Sequence, residues 1–209
     1  MTKLINSKYE SIGIVANDAG ASNLILGWIR NNPLYNFHYC LSGPALKIFQ
    51  QQNKSNINFE PSEIVQKCNF IITGTSYKSM IEHEARSEAK RCKIKSIAVI
   101  DHWVNYKMRF IRNNITVMPD IIWVFDKFAE EIAKNTFKNI NIKVKKNYYL
   151  NDLVKKIKNI NRLGDPNLCK ILYVLEPIRK NLKIKSSYSF EFQVLDFFLE
   201  KLKKLNINQ

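Results

Sequence analysis

Short apolar runs alternate with longer segments of helical apolar spacing along most of this chain. IGIVA (12–16), FHYCL (37–41), NFIIT (69–73), the apolar part of 95–100, IIWVF (121–125) and INIKV (140–144) have the length and β-branched content of strands buried in a sheet. A further short strand is expected near 57–59. Between these runs, 22–30 (SNLILGWIR), a segment from Ser42-Gly43-Pro44 to about Gln51, a short stretch from Pro61, the long stretch 77–92 and 126–136 (DKFAEEIAKNT) space their apolar residues as helices do. Asp126 is placed to cap the last of them, its carboxylate taking a free backbone N–H. Strand and helix in strict alternation predict an α/β fold, Rossmann-like, with a mostly parallel sheet and helices on both faces.

The alternation breaks once. Residues 151–167 form a Lys-rich helical stretch that stops at Leu163-Gly164-Asp165-Pro166, and then the pattern restarts with CKILYVL (169–175) as a strand and SFEFQVLDFFLEKLKK (189–204) as an amphipathic helix. The expected organisation is a Rossmann-like domain over 1–150, a linker helix and turn over 151–168, and the first β-α unit of an incomplete second α/β domain over 169–209. An apolar strand with one open edge invites pairing, either with another copy or with a chain that supplies a complementary half.

Composition changes this picture little. No window approaches about 18 uninterrupted apolar residues, and MTKLINSKYE lacks the apolar centre of a secretory leader, so a cytoplasmic protein is expected, with contact at the inner face of the membrane left open. Cys40, Cys68, Cys92 and Cys169 are scattered, as are His38, His83 and His102, so neither a metal site nor a disulfide framework is expected. The net charge of +15 could serve nucleic acid, yet only 7 of the 33 basic residues are arginine, and Lys, Asn and Ile together exceed a third of the chain. That is the signature of biased codon choice, and nucleic acid is discounted as a partner. The excess is concentrated: residues 127–209 hold 18 Lys/Arg against 8 Asp/Glu, which would suit an anionic membrane surface or a phosphorylated substrate.

The candidate chemistry sits where strands end, because ligands of open α/β sheets bind beyond the carboxyl ends of the strands. The first strand runs into Asn17-Asp18-Ala19-Gly20, where Asp18 could act as a general base or bind a hydroxyl and Gly20 permits close approach. It is not a GxGxxG fingerprint. The third strand runs into Gly74-Thr75-Ser76, two hydroxyls and a glycine turn that could cradle a phosphate or sugar, with Glu82 in the helix behind it. The fourth delivers the densest cluster: Asp101, His102, Trp103, Asn105, Tyr106 and Arg109. A carboxylate beside an imidazole can raise its pKa and orient it as a base near neutral pH, and an arginine can clamp a phosphate or carboxylate. Glu176 and Arg179 follow the restarted strand in the same kind of position. A Ser–His–Asp triad through Ser76 or Ser22 is disfavoured, since neither lies in a G-x-S-x-G elbow.

Taken together, GIVANDAGASNLILGWI, IITGTS with Glu82, IAVIDHWVNYKMRF, PDIIWVFDKFA and ILYVLEPIRK resemble bacterial surface-polysaccharide glycosyltransferases of the two-Rossmann-domain (GT-B) type, and more distantly nucleotide-sugar 2-epimerases of the same fold. The resemblance implies an N-terminal domain that binds the acceptor and supplies a base, and a C-terminal domain that binds the nucleotide-sugar donor. By it, Asp18, the 74–76 turn, Asp101 and His102 would line the acceptor side of a cleft, with no cofactor beyond the nucleotide sugar as co-substrate. The resemblance also implies roughly 150 further residues in a full-length enzyme, so this chain reads as an N-terminal half, incomplete as a catalyst. The alternative is a non-catalytic module that binds a phosphosugar or nucleotide.

Overall fold

The computed structural model describes residues 11–52, 59–158, 171–175 and 190–204. Six parallel strands form one sheet: β1 (Ser11–Ala16), β2 (Asn36–Leu41), β3 (Phe70–Thr73), β4 (Lys95–Val99), β7 (Ile121–Val124) and β8 (Asn141–Val144), in the order β2-β1-β3-β4-β7-β8. Strands β1, β3, β4 and β7 lie inside the sheet, and from Ile12 to Val124 nearly all their residues are buried. That is why they read as continuous apolar runs rather than as alternating patterns.

Helices cover both faces. On one lie α1 (Ala19–Arg30), α2 (Gly43–Gln50) and α6 (Tyr148–Lys158), packed through Ile25, Trp28, Phe49 and Tyr149 onto Ile14, Ile72, Val99 and Trp123. On the other, α3 (Pro61–Lys67) and α4 (Ile81–Arg91) cover Val15 and Ile71, and α5 (Lys127–Thr136) covers Ala98 and Ile122. Asp126 caps α5 as expected, accepting from the Ala129 N–H at 2.6 Å. The Rossmann-like α/β architecture expected from the alternation is therefore the one observed.

Sequence order runs β1 to β2 in one direction and then crosses back over β1 to β3, so the connections leave β1 and β3 toward opposite faces. Such a switch point opens a crevice at the carboxyl ends of these two strands. Connections there are held by backbone bonds that continue past the strands: Gly74 N–H to Val15 O at 2.8 Å and Ala45 N–H to Asn17 O at 2.9 Å.

Three local expectations need correction. Helix α4 starts at Ile81 rather than 77, so Tyr77–Met80 belong to the loop. The stretch after β4 forms a 3-10 turn (Lys107–Phe110) and a small antiparallel hairpin, β5 (Ile111–Arg112) with β6 (Ile115–Thr116), where continuous loop was expected. Its Asn113-Asn114 turn has φ of 48° and 61°, the left-handed pair that a two-residue hairpin requires and that asparagine tolerates. Helix α6, assigned to the linker, docks on α1: Tyr148 and Tyr149 pack on its core face, and Arg30 pairs with Asp152 at 2.5 Å. Compact units accordingly divide near Ile160.

The second unit is described only at 171–175 and in α7 (Phe190–Lys204). Residues 171–175 adopt no regular structure, so the expected strand is not formed there, although Tyr173 meets the ring of Phe198 at 4.6 Å. Residues 169–170, the turn at 163–166 and most of the strand expected near 57–59 lie outside the described residues. No described helix is long and apolar enough to cross a membrane.

Candidate functional site

The loop after β1 is built around Asn17 and Asp18. Asp18 caps α1, its Oδ1 accepting from the Ala21 N–H at 3.1 Å, while Asn17 turns inward: its Nδ2 donates to Ser76 Oγ at 3.0 Å and its Oδ1 accepts from Ser42 Oγ at 2.7 Å. Asp18 is half-buried. Burial and the nearby Asp101 carboxylate raise its pKa, against the opposing pull of the Ala21 N–H and Arg109. Such a carboxylate is a better proton acceptor than an exposed one.

Beneath this loop lies a buried charge cluster. Glu82, 1% exposed, accepts from the Asn17 N–H at 3.0 Å and the Ser76 N–H at 2.5 Å, and so ties the β1–α1 loop to the β3–α4 loop with one carboxylate. Gly74 makes room for it, since a Cβ there would stand 2.3 Å from Glu82 Oε1. Burial, with Asp18 adding to it, pushes the Glu82 carboxyl up to about 7. One turn further on, Arg86 is also 1% exposed and donates to Thr73 Oγ1 at 2.9 Å and Gly74 O at 3.0 Å. Its guanidinium lies over the Phe110 ring at 5.3 Å, and burial lowers its pKa to about 10, which still leaves it charged at neutral pH. Arg86 Nε and Nη2 and His83 Nδ1 are buried without a hydrogen-bond partner among the described residues.

The loop after β4 divides its cluster in two. Arg109 pairs with Asp101 at 2.9 Å, donates to Thr75 Oγ1 at 3.0 Å and donates through Nε to Val104 O at 3.1 Å. Gly20 lies against this pair, for a Cβ there would stand 1.8 Å from Asp101 Oδ2. Tyr106 is 5% exposed, stacks on Phe137 and donates to Ala129 O at 3.3 Å. His102, Trp103 and Asn105, by contrast, face solvent. Asn105 takes the left-handed conformation, φ 60°, that starts the 3-10 turn.

These loops enclose a cleft of about 800 Å³ at the carboxyl edge of β1, β3 and β4, lined by Asn17, Asp18, Gly20, Thr75, Ser76, Asp101, His102, Asn105 and Arg109. Nine of the residues expected to act are therefore brought together. Several of their expected roles change. Asp101 is bound to Arg109 and makes no hydrogen bond to His102, so the carboxylate–imidazole pair does not form. Arg109 commits Nε and Nη1 to the protein, and its Nη2 makes no hydrogen bond among the described residues, so only that end of the guanidinium is left to meet a ligand in the cleft. Thr75 donates to Val99 O at 3.0 Å, and the Ser76 N–H is taken by Glu82, so the 74–76 turn is not an open anion cradle. Glu82 and Tyr106 are too buried to touch a ligand: the first positions loops and the second packs in the core. Trp103 lines a neighbouring pocket. Glu176 and Arg179 lie outside the described residues.

The sequence reading also missed contributors. Arg112 is 8% exposed, its guanidinium bonded to the Ser76, Met108 and Ile111 carbonyls, and it anchors the β3–α4 loop from the hairpin side. Ser42, at the end of β2, completes the Asn17 network. Tyr77, Lys78 and Met108 reach the cleft rim. The Arg-Asn-Asn-Ile string was a readable hairpin signal, whereas nothing in the sequence pattern tied Arg112 to Ser76.

No family model and no curated protein sequence matches this chain. Its fold is similar to that of the solved structure of UDP-GlcNAc 2-epimerase from Methanocaldococcus jannaschii, with a TM-score of 0.51 and 13% identity over 71% of this chain and 48% of that one. The chain thus spans about half the length of that structure. At this identity the likeness establishes a shared Rossmann-like fold.

Proposed function

We propose that this chain is the acceptor-side part of a nucleotide-sugar-dependent glycosyltransferase of the GT-B type, acting in bacterial surface-polysaccharide synthesis. The observation that carries this reading is the cleft at the switch point, holding a half-buried carboxylate of raised pKa, Asp18, beside a solvent-facing imidazole with no hydrogen bond among the described residues, His102. A fold shared with a nucleotide-sugar epimerase adds to it.

In this reading Asp18 takes the proton of an acceptor hydroxyl, and His102 orients that hydroxyl from the rim. The acceptor oxygen bonds to the anomeric carbon as the bond from that carbon to the diphosphate oxygen breaks. The nucleoside diphosphate leaves with the electron pair, and the anomeric configuration inverts. Glu82 and Arg86 hold the two loops and touch no substrate. In this reading the donor is bound by a second domain.

A non-catalytic binding module is favoured by a different observation: most polar groups around the cleft, Arg109, Thr75 and Ser76 among them, are committed to the protein itself. The two readings separate in one assay, release of nucleoside phosphate from a panel of nucleotide sugars with glycan acceptors, run with a donor-binding domain supplied. The transferase reading expects turnover that falls by roughly 10²–10⁴ in Asp18→Asn, the usual contribution of a general base. Ligand binding without turnover leaves the module, and equal turnover by wild type and Asp18→Asn removes Asp18 from the mechanism.

A further inference from the structure

Beside the cleft, across the Asp101–Trp103 turn, lies a second concavity of about 290 Å³. Ligand pockets span about 300–1,000 Å³, so this one suits a single ring rather than a chain. Its walls include the rings of Trp103, Phe125 and Tyr149, and its polar groups include Asp101, Asp126 and Asn147, with no lysine or arginine among its lining residues.

Trp103 is 53% exposed, yet it is not loose. Its Nε1 donates to Asp126 Oδ2 at 3.1 Å, and the other oxygen of that carboxylate is fixed by capping α5. Its ring stands edge-on to Phe128, 6.0 Å away at 78°. An indole anchored at its polar tip with its face left in solvent is a preformed platform, because burying it against a ligand adds apolar contact with little further loss of freedom.

The polar groups say what sits there. Asp101 is already paired with Arg109, Asp126 adds a carboxylate, and no lysine or arginine lines the pocket, a balance that does not attract phosphate. Each Asp126 oxygen accepts one bond and keeps a lone pair, and Asn147, whose Oδ1 accepts from the Leu150 N–H at 2.9 Å, keeps its amide NH₂ to donate. A ring that offers many O–H donors and acceptors along its edge and an apolar C–H face meets all of these. We propose that this pocket is a carbohydrate subsite, in which Trp103 stacks on the face of a neutral sugar ring whose hydroxyls bond to Asp126 and Asn147. Asp101 and His102 line both this pocket and the cleft, so the sugar held here is the neighbour of the unit in the cleft. The choice of a glycan over another polyol rests on the acceptor reading above.

The chain carries its own reporter. Of its three tryptophans, Trp28 and Trp123 are 6% and 5% exposed, and Trp103 is the one open to solvent. The full chain is titrated with maltose, cellobiose, lactose and chitobiose, and in parallel with uridine 5′-monophosphate and inorganic phosphate, while tryptophan emission and acrylamide quenching are followed. At least one neutral disaccharide is expected to shift the emission to shorter wavelength and to protect it from quenching. By calorimetry, Trp103→Ala weakens that binding about 10-fold and Trp103→Phe keeps most of it, as the loss and retention of one aromatic contact require. An unfolding midpoint unchanged in both variants separates lost binding from lost fold.

No spectral response to any disaccharide overturns the proposal. So does a response to the nucleotide or to phosphate alone, which makes the pocket an anion or base site, and so does undiminished binding by Trp103→Ala. Disaccharide binding through Trp103 with no turnover of any nucleotide sugar when a donor-binding domain is supplied keeps the subsite and removes the transferase. Turnover with a disaccharide acceptor that Trp103→Ala leaves unchanged removes the subsite and keeps the transferase.

Discussion

Two sets of polar side chains surround one cleft and have opposite fates. The floor, Glu82, Arg86, Thr75, Ser76 and Arg112, is buried and bonded to the protein, and its members tie loops from β1, β3 and the hairpin together. The rim, His102, Trp103 and Asn105, is exposed, and its side chains make few bonds to the protein. Both sets are the residue types that a sequence reading flags at strand ends. What separates them is how far their donors and acceptors are already spent, Arg86 Nε and Nη2 being the floor groups left without a hydrogen-bond partner among the described residues. A buried polar group must find a partner inside the fold, whereas an exposed one keeps its capacity for a ligand. Asp18 stands between them, with one oxygen capping α1 and the carboxylate half-open to the cleft.

The sharpest way to break this contrast is to remove a floor charge. Arg86→Met leaves the buried Thr73 Oγ1 and Gly74 O without their donor and Glu82 without a nearby cation, and stranding buried acceptors of a charged donor in this way costs about 1–3 kcal/mol or more. His102→Ala, in the same urea-unfolding assay, is expected to change stability by less than about 0.5 kcal/mol, as an exposed substitution does. Comparable losses for the two would erase the distinction.

A pH titration of stability tests the floor without touching its packing. Glu82 has a folded pKa of about 7, above the 4.5 of an ordinary glutamate. Below pH 4.5 the carboxyl is protonated in both states and costs nothing. As pH rises, the unfolded chain loses this proton first, so unfolding gains on folding until the folded carboxyl ionises near pH 7. The expected outcome is a loss on the order of 3 kcal/mol between about pH 4.5 and 7, to which Asp18 adds with the same sign. In Glu82→Gln the slope over that window flattens, and an unchanged slope would refute the assignment.

Two glycines give smaller effects that sharpen the boundary. Gly74→Ala crowds Glu82 Oε1 at 2.3 Å in a fully buried site and costs about 1–3 kcal/mol. Gly20→Ala crowds Asp101 Oδ2 at 1.8 Å, but Gly20 is exposed and the carboxylate can swing away. Its expected cost is about 1–3 kcal/mol, the worth of a charged hydrogen bond in a pair whose side chains are only 18% and 13% exposed. Its clearer readout is ligand affinity, because Asp101 leaves Arg109 and re-enters the cleft.

The inner strands β1, β3, β4 and β7 were legible because each is a buried run bounded by polar turns, and so was the capping role of Asp126. The site was legible in place but not in role. Strand ends located Asp18 and Asp101 correctly at the cleft, since topology alone sends them there. Which partner each would choose depends on contacts far apart in sequence: Asp101 meets Arg109 rather than adjacent His102, and Arg112 reaches the Ser76 carbonyl across 36 positions. Tyr106 shows the same limit: expected at the site with its neighbours, it packs instead in the core with Phe110, Ala129 and Phe137. Residues 171–175 read as a strand from their apolar run alone, a pattern that does not by itself fix strand structure.

The central claim is that Asp18 stands ready to take a proton from an acceptor hydroxyl in this cleft. It is tested most directly by the initial rate of nucleoside diphosphate release from a nucleotide sugar, in the presence of a glycan acceptor, for wild type and Asp18→Asn. The account predicts a fall in kcat of roughly 10²–10⁴ with acceptor KM little changed. Equal kcat in the two proteins would contradict it.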